Sequence, residues 1–367
     1  MKFYESSFEE YLHSNQEYNI HPELDKIYKK LPMNIHKLEN IIIYGPSGIG
    51  KYTQALKIIQ RYSPSNLKYE KKIIANTEKQ VYKYKMSDIH YEVDMSMLGC
   101  NSKLVWHEIF SQIVDIVSVK NVKVGFILCK NFHLIHSELL DIFYSYIQQY
   151  NHSQTNIFLK FILITEHVSF IPNKIINNSQ ILNISRPSKE KYYHISLTQN
   201  NCTIPLSNEE IITRISNYKN ITNGKNKNIL GLINSIDTNG ITNMKELKSF
   251  NLLYGDNEKI QELPNDHFNI ICNKIIENII IEKDINYIEL RDNLYDILTY
   301  NLDVIECIWY ILSYLVVNQH LDKNDISDIC IKTYEYFKYY NNNYRPIYHL
   351  ESIFFYITIK VHSLNEL

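Results

Sequence analysis

Residues 40–53, "NIIIYGPSGIGKYT", constrain this chain more than any other stretch. Three consecutive isoleucines read as a strand that runs into a glycine-rich turn. Glycines at 45, 48 and 50 then let the backbone turn sharply, and Lys51 opens a helix-like segment. The spacing G-x-x-x-x-G-K is that of a phosphate-binding loop. Its backbone N–H groups converge on phosphate oxygens at the positive end of the following helix, and the lysine adds a point charge. The candidate nucleotide-binding residues are therefore Gly45, Pro46, Ser47, Gly48, Ile49, Gly50, Lys51, Tyr52 and Thr53, with ATP or ADP as the ligand.

Hydrolysis by such a loop also needs a Mg²⁺ team: a hydroxyl directly after the lysine and a carboxylate at the end of a neighbouring strand. Here Tyr52 follows the lysine, and Thr53 is one position late, about 100° further around a helix. The best candidate neighbour, "KVGFILCKNFHLIH", ends in Cys129, Lys130, Asn131 and Phe132, with no carboxylate and with an ammonium that would repel a metal. The expectation is a loop that binds without cutting. It has no catalytic residue and no metal ligand, and ATP and ADP bind it alike with little dependence on Mg²⁺.

Around the loop, β-type runs at 40–44, 89–95, 123–129, 159–165 and 180–185 alternate with helix-like segments at 51–61, 102–118 and 136–149. That alternation predicts an α/β core with a parallel sheet. Residues 67–87 alternate polar and apolar around "NTEK" and predict a hairpin inserted between the first two core strands. After Arg186-Pro187 the strand signals stop. The expected organisation is a divergent N-terminal segment (1–37), a P-loop core (38–186), a small helical unit (187–245) and an all-helical domain (246–367).

The 367 residues, 45% of them hydrophobic, suffice for two or three domains. A formal charge of −2 argues against a strong stand-alone polyelectrolyte binder. Six cysteines without a C-x-x-C pair predict neither zinc nor disulfides, and a reducing, intracellular setting. The acidic start "MKFYESSFEEYLHS" is unlike a signal peptide, and "IWYILSYLVV" (308–317) is too short to span a bilayer, so no membrane association is expected.

The loop "GPSGIGKYT" resembles that of the replication factor C small subunits, the AAA+ subunits of sliding-clamp loaders. It is most similar to the ATPase-degenerate small subunit, whose loop G-P-S-G-x-G-K-K-T also lacks a hydroxyl after the lysine. The hairpin at 67–87 sits where that subunit carries one. "HYEVDMSMLGCNSKLVWHEIF" (90–110) is similar to the family's Y-H-x-E-V-N-x-S-x-x-G-N-S, through Glu92, Val93, Ser96, Gly99, Asn101 and Ser102. "LRDNLYDILT" (290–299) resembles a collar helix, and "IYHLESIFF" (347–355) is similar to the last collar helix, I-Y-H-L-E-A.

The resemblance implies an AAA+ core followed by a helical lid and a helical collar. It implies a role in a hetero-pentamer that loads a sliding clamp onto primer-template DNA, at the site of replication in a nucleus or a viral factory. The skew toward Ile, Asn, Lys and Tyr reads as coding bias from an AT-rich genome, which with the resemblance suggests a large DNA virus or another AT-rich replicon as the source. Four departures stand out. The adenine-covering N-terminal segment is not recognisable in "NQEYNIHPELDKIYKKL". The family's sensor asparagine falls near Glu166, the neighbour-reaching Ser-Arg-Cys segment corresponds to "INNSQ" (176–180) without arginine, and the second-sensor arginine falls near Asn228.

Two other readings stay open. One is an active P-loop ATPase of the helicase-loader type; the other is a nucleotide-free DNA-binding scaffold. His133 and His136 lack a third metal ligand and read as surface or cap residues. "YEYFKYYNNNYRPIYHL" (334–350) reads as a collar helix, a turn and a final helix opened by Pro346, in preference to a base-stacking platform. "SELLDIFYSYIQQY" (137–150) carries no Lys or Arg, which leaves Lys174 as the candidate for a DNA contact. On the last helix Ile347, Leu350, Phe354 and Ile357 form one stripe, expected to be a core face or a subunit interface.

Overall fold

The isoleucine strand β1 (Asn40–Tyr44) lies inside a seven-stranded sheet and pairs in parallel with strands on both sides. The other strands are β2 (Lys71–Asn76), β3 (Val81–Met86), β4 (His90–Asp94), β5 (Val124–Lys130), β6 (Phe158–Thr165) and β7 (Ser179–Asn183), in the order β2-β3-β4-β5-β6-β1-β7. In this computed structural model the described residues are 7–76, 81–150, 156–187, 191, 267–281, 287–340 and 345–363. The chain divides into two compact units, residues 1–197 with 243–248 and residues 198–242 with 249–367.

Alternation along the central strands sends side chains to two separate cores. Ile42, Ile127, Cys129, Phe161 and Leu163 join the core under α4 (Ser102–Val119) and α5 (Ser137–Gln149). Ile41, Ile43, Phe126, Leu128, Ile162 and Ile164 join the core under α3 (Lys51–Gln60). The expected hairpin is present as β2 and β3, which pair antiparallel from Lys71↔Met86 to Asn76↔Val81. Its inner residues Ala75, Tyr82 and Tyr84 pack into the first core, so the insert extends the sheet instead of standing clear of it.

The N-terminal segment is more than a divergent leader. Helix α1 (Phe8–Glu17) is capped by Ser7, whose hydroxyl accepts from the Glu10 amide while the Glu10 carboxylate accepts from the Ser7 amide. With α2 (Asp25–Lys30) it buries Phe8, Leu12, Leu24 and Tyr28 in the α3-side core. A short helix, α6 (Asn173–Ile176), leads into β7. The small helical unit expected at 187–245, including Asn228, lies outside the described residues apart from Pro187 and Lys191.

The second unit is helical throughout its described residues: α7 (His267–Ile281), α8 (Tyr287–Thr299), α9 (Val304–Val317), α10 (Lys323–Tyr340) and α11 (Pro346–Val361). Pro346 opens α11, where its missing N–H is no loss. The stripe Ile347, Leu350, Phe354 and Ile357 is buried in this unit's own core with Ile275, Leu294, Cys307 and Ile311. Of the two roles expected for it, core face or interface, it takes the first. Arg291 on α8 donates through Nε and Nη2 to the mostly buried carboxylate of Glu351 on α11.

Because Phe354 is fully buried, removing its ring leaves a cavity that a helical bundle fills poorly. Phe354→Ala is expected to destabilise the C-terminal unit by about 3–5 kcal/mol, read as a lower urea midpoint for that unit's unfolding transition. Truncation before Pro346 is expected to unfold the unit rather than merely expose an interface.

Candidate nucleotide-binding site

Where β1 ends, the chain must turn under the neighbouring strand. Gly45 has φ +154°, and a Cβ there would lie 2.2 Å from the Ile184 carbonyl oxygen just beyond β7. No larger residue fits. Gly50, at φ +88°, serves as N-cap of α3 in a left-handed conformation. Between them Ile49 is buried and anchors the loop, while Pro46, Ser47 and Gly48 are partly exposed. Lys51 curls back, donating from Nζ to the carbonyls of Gly45 at 2.6 Å and Pro46 at 2.5 Å. Gly45 to Thr53 thus form one continuous turn from the end of β1 into the first turn of α3.

The loop is braced from a direction the sequence did not reveal. His21, buried in the N-terminal segment, donates from Nε2 to the Ile49 carbonyl at 2.8 Å, and its Nδ1 lies 3.2 Å from Glu23. On α3, Gln54 accepts from the Tyr28 hydroxyl at 2.9 Å and donates to Asn15 at 3.3 Å. Lys57 pairs with Asp25 at 2.6 Å. Lys191 donates to the Ile20 carbonyl at 2.7 Å. Thus the N-terminal stretch holds the loop and its helix by hydrogen bonds.

The residue after the lysine has a partner that its spacing does not reveal. The Tyr52 hydroxyl donates to Glu92 Oε1 at 2.6 Å. Glu92 stands on β4 beside Leu128 in the parallel register, so it faces the same α3-side core and is buried. Its other partners are His90 Nε2 at 3.4 Å and Lys130 Nζ at 3.5 Å. Lys130 also lies 5.4 Å from the centre of the Tyr52 ring, and Tyr11 packs edge-on against that ring at 4.8 Å. A carboxylate is therefore present near the loop, on β4 rather than at the end of β5. Lys130 is its ion partner, not an isolated repulsive charge.

Burial alone would raise the Glu92 carboxyl. The contacts with His90, Lys130 and Tyr52 outweigh it and hold the group below the usual carboxylate range. Burial, reinforced by the charge on Glu92, pushes the Tyr52 phenol far up, so it stays a hydrogen-bond donor. At the end of β5, Asn131 donates to both oxygens of Asp94 at 3.0 and 3.1 Å. Just after β6, Glu166 lies 3.5 Å from His133 Nε2, and burial beside His133 pushes neighbouring His167 down to about 3.

A divalent cation fits this donor set badly. The hydroxyl it needs belongs to a phenol already bound to Glu92, and an ammonium stands where a carboxylate should. Among the described residues no group of three or more His, Cys, Asp or Glu side chains converges on one point. None of the described helices is long and apolar enough to cross a membrane.

No protein-family profile matches the chain, and no curated protein does. Among solved structures it is similar to the Thermotoga maritima RuvB Holliday junction branch migration motor, at 13% identity over 81% of this chain and 88% of that one, with a TM-score of 0.38. It is also similar to Saccharomyces cerevisiae RIF2, at 10% identity over 70% of this chain and 96% of that one, TM-score 0.40. Caenorhabditis elegans PCH-2 matches at 15% identity over 53% of this chain and 48% of that one, TM-score 0.30. Scores this low carry no weight beside the strand order and the loop geometry.

A group whose folded pKa is depressed stabilises the fold above its unfolded pKa, and that stability is lost as pH falls through the folded value. The Glu92 contribution is thus full at neutral pH and fades below about pH 4. Glu92→Gln is expected to cost about 1–3 kcal/mol at neutral pH, and to flatten the acid side of the stability curve. Thermal melts of both proteins from neutral to acid pH check this. With β6 between the loop strand and β5, and β7 on the loop strand's other side, the N-terminal unit is an α/β domain whose mostly parallel sheet carries the glycine-rich loop at the end of a central strand.

Proposed function

We propose that this chain is a nucleotide-binding subunit of a replication factor C-like clamp loader that does not itself hydrolyse ATP. The observation that carries the reading is the fate of the residue after the loop lysine. A hydroxyl there should face a metal, and instead Tyr52 is locked to Glu92 while Lys130 sits over its ring. Bound ATP or ADP then braces the module and fuels nothing. The chain works with other AAA+ subunits of a hetero-pentamer, a sliding clamp and primer-template DNA.

The second unit supports the same reading. The two collar-like motifs, "LRDNL" and "IYHLE", supply Arg291 and Glu351, and these form the ion pair between α8 and α11. Both motifs thus contribute to one charged clamp across the helical unit. Near Glu166 the sensor role is replaced by a contact with His133, consistent with a site relieved of catalysis.

The pure chain is expected to show steady-state ATP turnover no higher than buffer. Tyr52→Thr is expected to stay inactive even though it releases Glu92, because Lys130 still opposes a metal there. Turnover in either protein contradicts the reading. Co-expression with the AAA+ subunits of a clamp loader is expected to yield a complex that co-elutes in size exclusion. Separate elution of all components would sink the clamp-loader assignment while leaving nucleotide binding intact.

A further inference from the structure

The first turn of α3 is flanked by two ammonium groups, and only one belongs to the loop motif. Lys51 Nζ bonds the loop carbonyls of Gly45 and Pro46. Lys130 reaches over from β5 to lie above the ring of the very next residue, Tyr52. A phosphate chain held by this turn ordinarily brings a divalent cation, which neutralises charge on its outer oxygens. Here the metal's hydroxyl is bound to Glu92 at 2.6 Å, and a cation at that place would have to approach the Lys130 ammonium.

We propose that Lys130 stands in for the metal: the site takes a nucleoside di- or triphosphate without a divalent cation, and Lys130 donates to its outer phosphate oxygens. The inference rests on reading the loop as a nucleotide binder. Three features suit Lys130 to the task. An ammonium has three donors, and Glu92 takes one at 3.5 Å, the longest of its three side-chain contacts with Tyr52, His90 and Lys130. The Lys130 side chain is 31% exposed while Glu92 is 1% exposed, so the ammonium is the member of the pair a ligand can reach. The cluster is also pre-assembled: Tyr52 and His90 hold the carboxylate, and the carboxylate aims the lysine.

Metal-free binding also explains why the residues around the turn need not form an oxygen-rich shell. Asp94, the other acid at the end of β4, is engaged by both of its oxygens with Asn131. The charge that meets the phosphates is carried by nitrogen.

The test uses the full chain and fluorescent analogues of ADP and ATP, titrated once with EDTA and once with excess Mg²⁺. The wild-type affinities are expected to agree within about threefold, and Lys130→Met to weaken both by at least about tenfold, or 1.4 kcal/mol. Lys130→Arg, which keeps the charge, is expected to bind within a few-fold of wild type, with thermal melts reporting that each variant is folded. A wild-type requirement for Mg²⁺ of more than about tenfold overturns the inference, as does wild-type affinity in folded Lys130→Met. If the wild type binds neither analogue under either condition while melting cooperatively, the nucleotide reading itself fails, a distinct result.

Discussion

Glu92 is the charge around which the N-terminal unit is arranged. A carboxylate in the layer between sheet and helix is costly to bury unless it is paired and hydrogen-bonded. Three partners from three elements meet that need: Tyr52 from α3, Lys130 from β5 and His90 from its own strand. The consequence is mechanical as well as electrostatic. The helix that starts at the loop lysine is tied to two strands at its first turn, so the loop opens onto a fixed wall. Phe8 of α1 packs on His90, and Tyr11 packs on Tyr52, so the N-terminal helix closes the same cluster from outside.

This arrangement divides two tasks that a hydrolysing loop performs together. Holding phosphates needs converging amides and positive charge, the two features for which the spacing of Gly45 to Lys51 is read. Activating water or leaving group needs oxygen ligands around a metal, whereas beside the first turn of α3 the structure sets a phenol and an ammonium. The C-terminal unit has its own charged clamp, Arg291 with Glu351, set at the surface of an apolar core rather than within it. That pair orients two helices whose packing is supplied by Leu294, Leu350 and Phe354.

Much of the N-terminal fold was legible because its signals are local. A run of buried β-branched residues, three glycines and a lysine can be read without neighbours, and the hairpin announces itself by alternation. The departure at Tyr52 was equally plain. What the pattern could not reveal was its partner. Glu92 lies 40 positions downstream on a strand that reads as ordinary, and only the register of β4 beside β5 sets it next to Lys130. Residues 1–37 were illegible for the same reason: His21, Tyr28 and Asn15 act on the loop and its helix across the fold, with no spacing rule to betray them.

The sequence by itself determined that a turn with the glycine and lysine spacing of a phosphate loop follows a buried strand, and that a tyrosine stands directly after its lysine. Both follow from residue types at short spacings, where local geometry leaves few alternatives. It left the stripe of the last helix as either core or interface, because amphipathic periodicity says that a face is buried but not against what. The tertiary structure decided that question in favour of the core. It also decided that a tyrosine and a lysine, read separately as losses, form one cluster with a buried acid. Long-range pairing has no local signature, and an unpaired Glu92 in that layer would be too costly to leave the choice open.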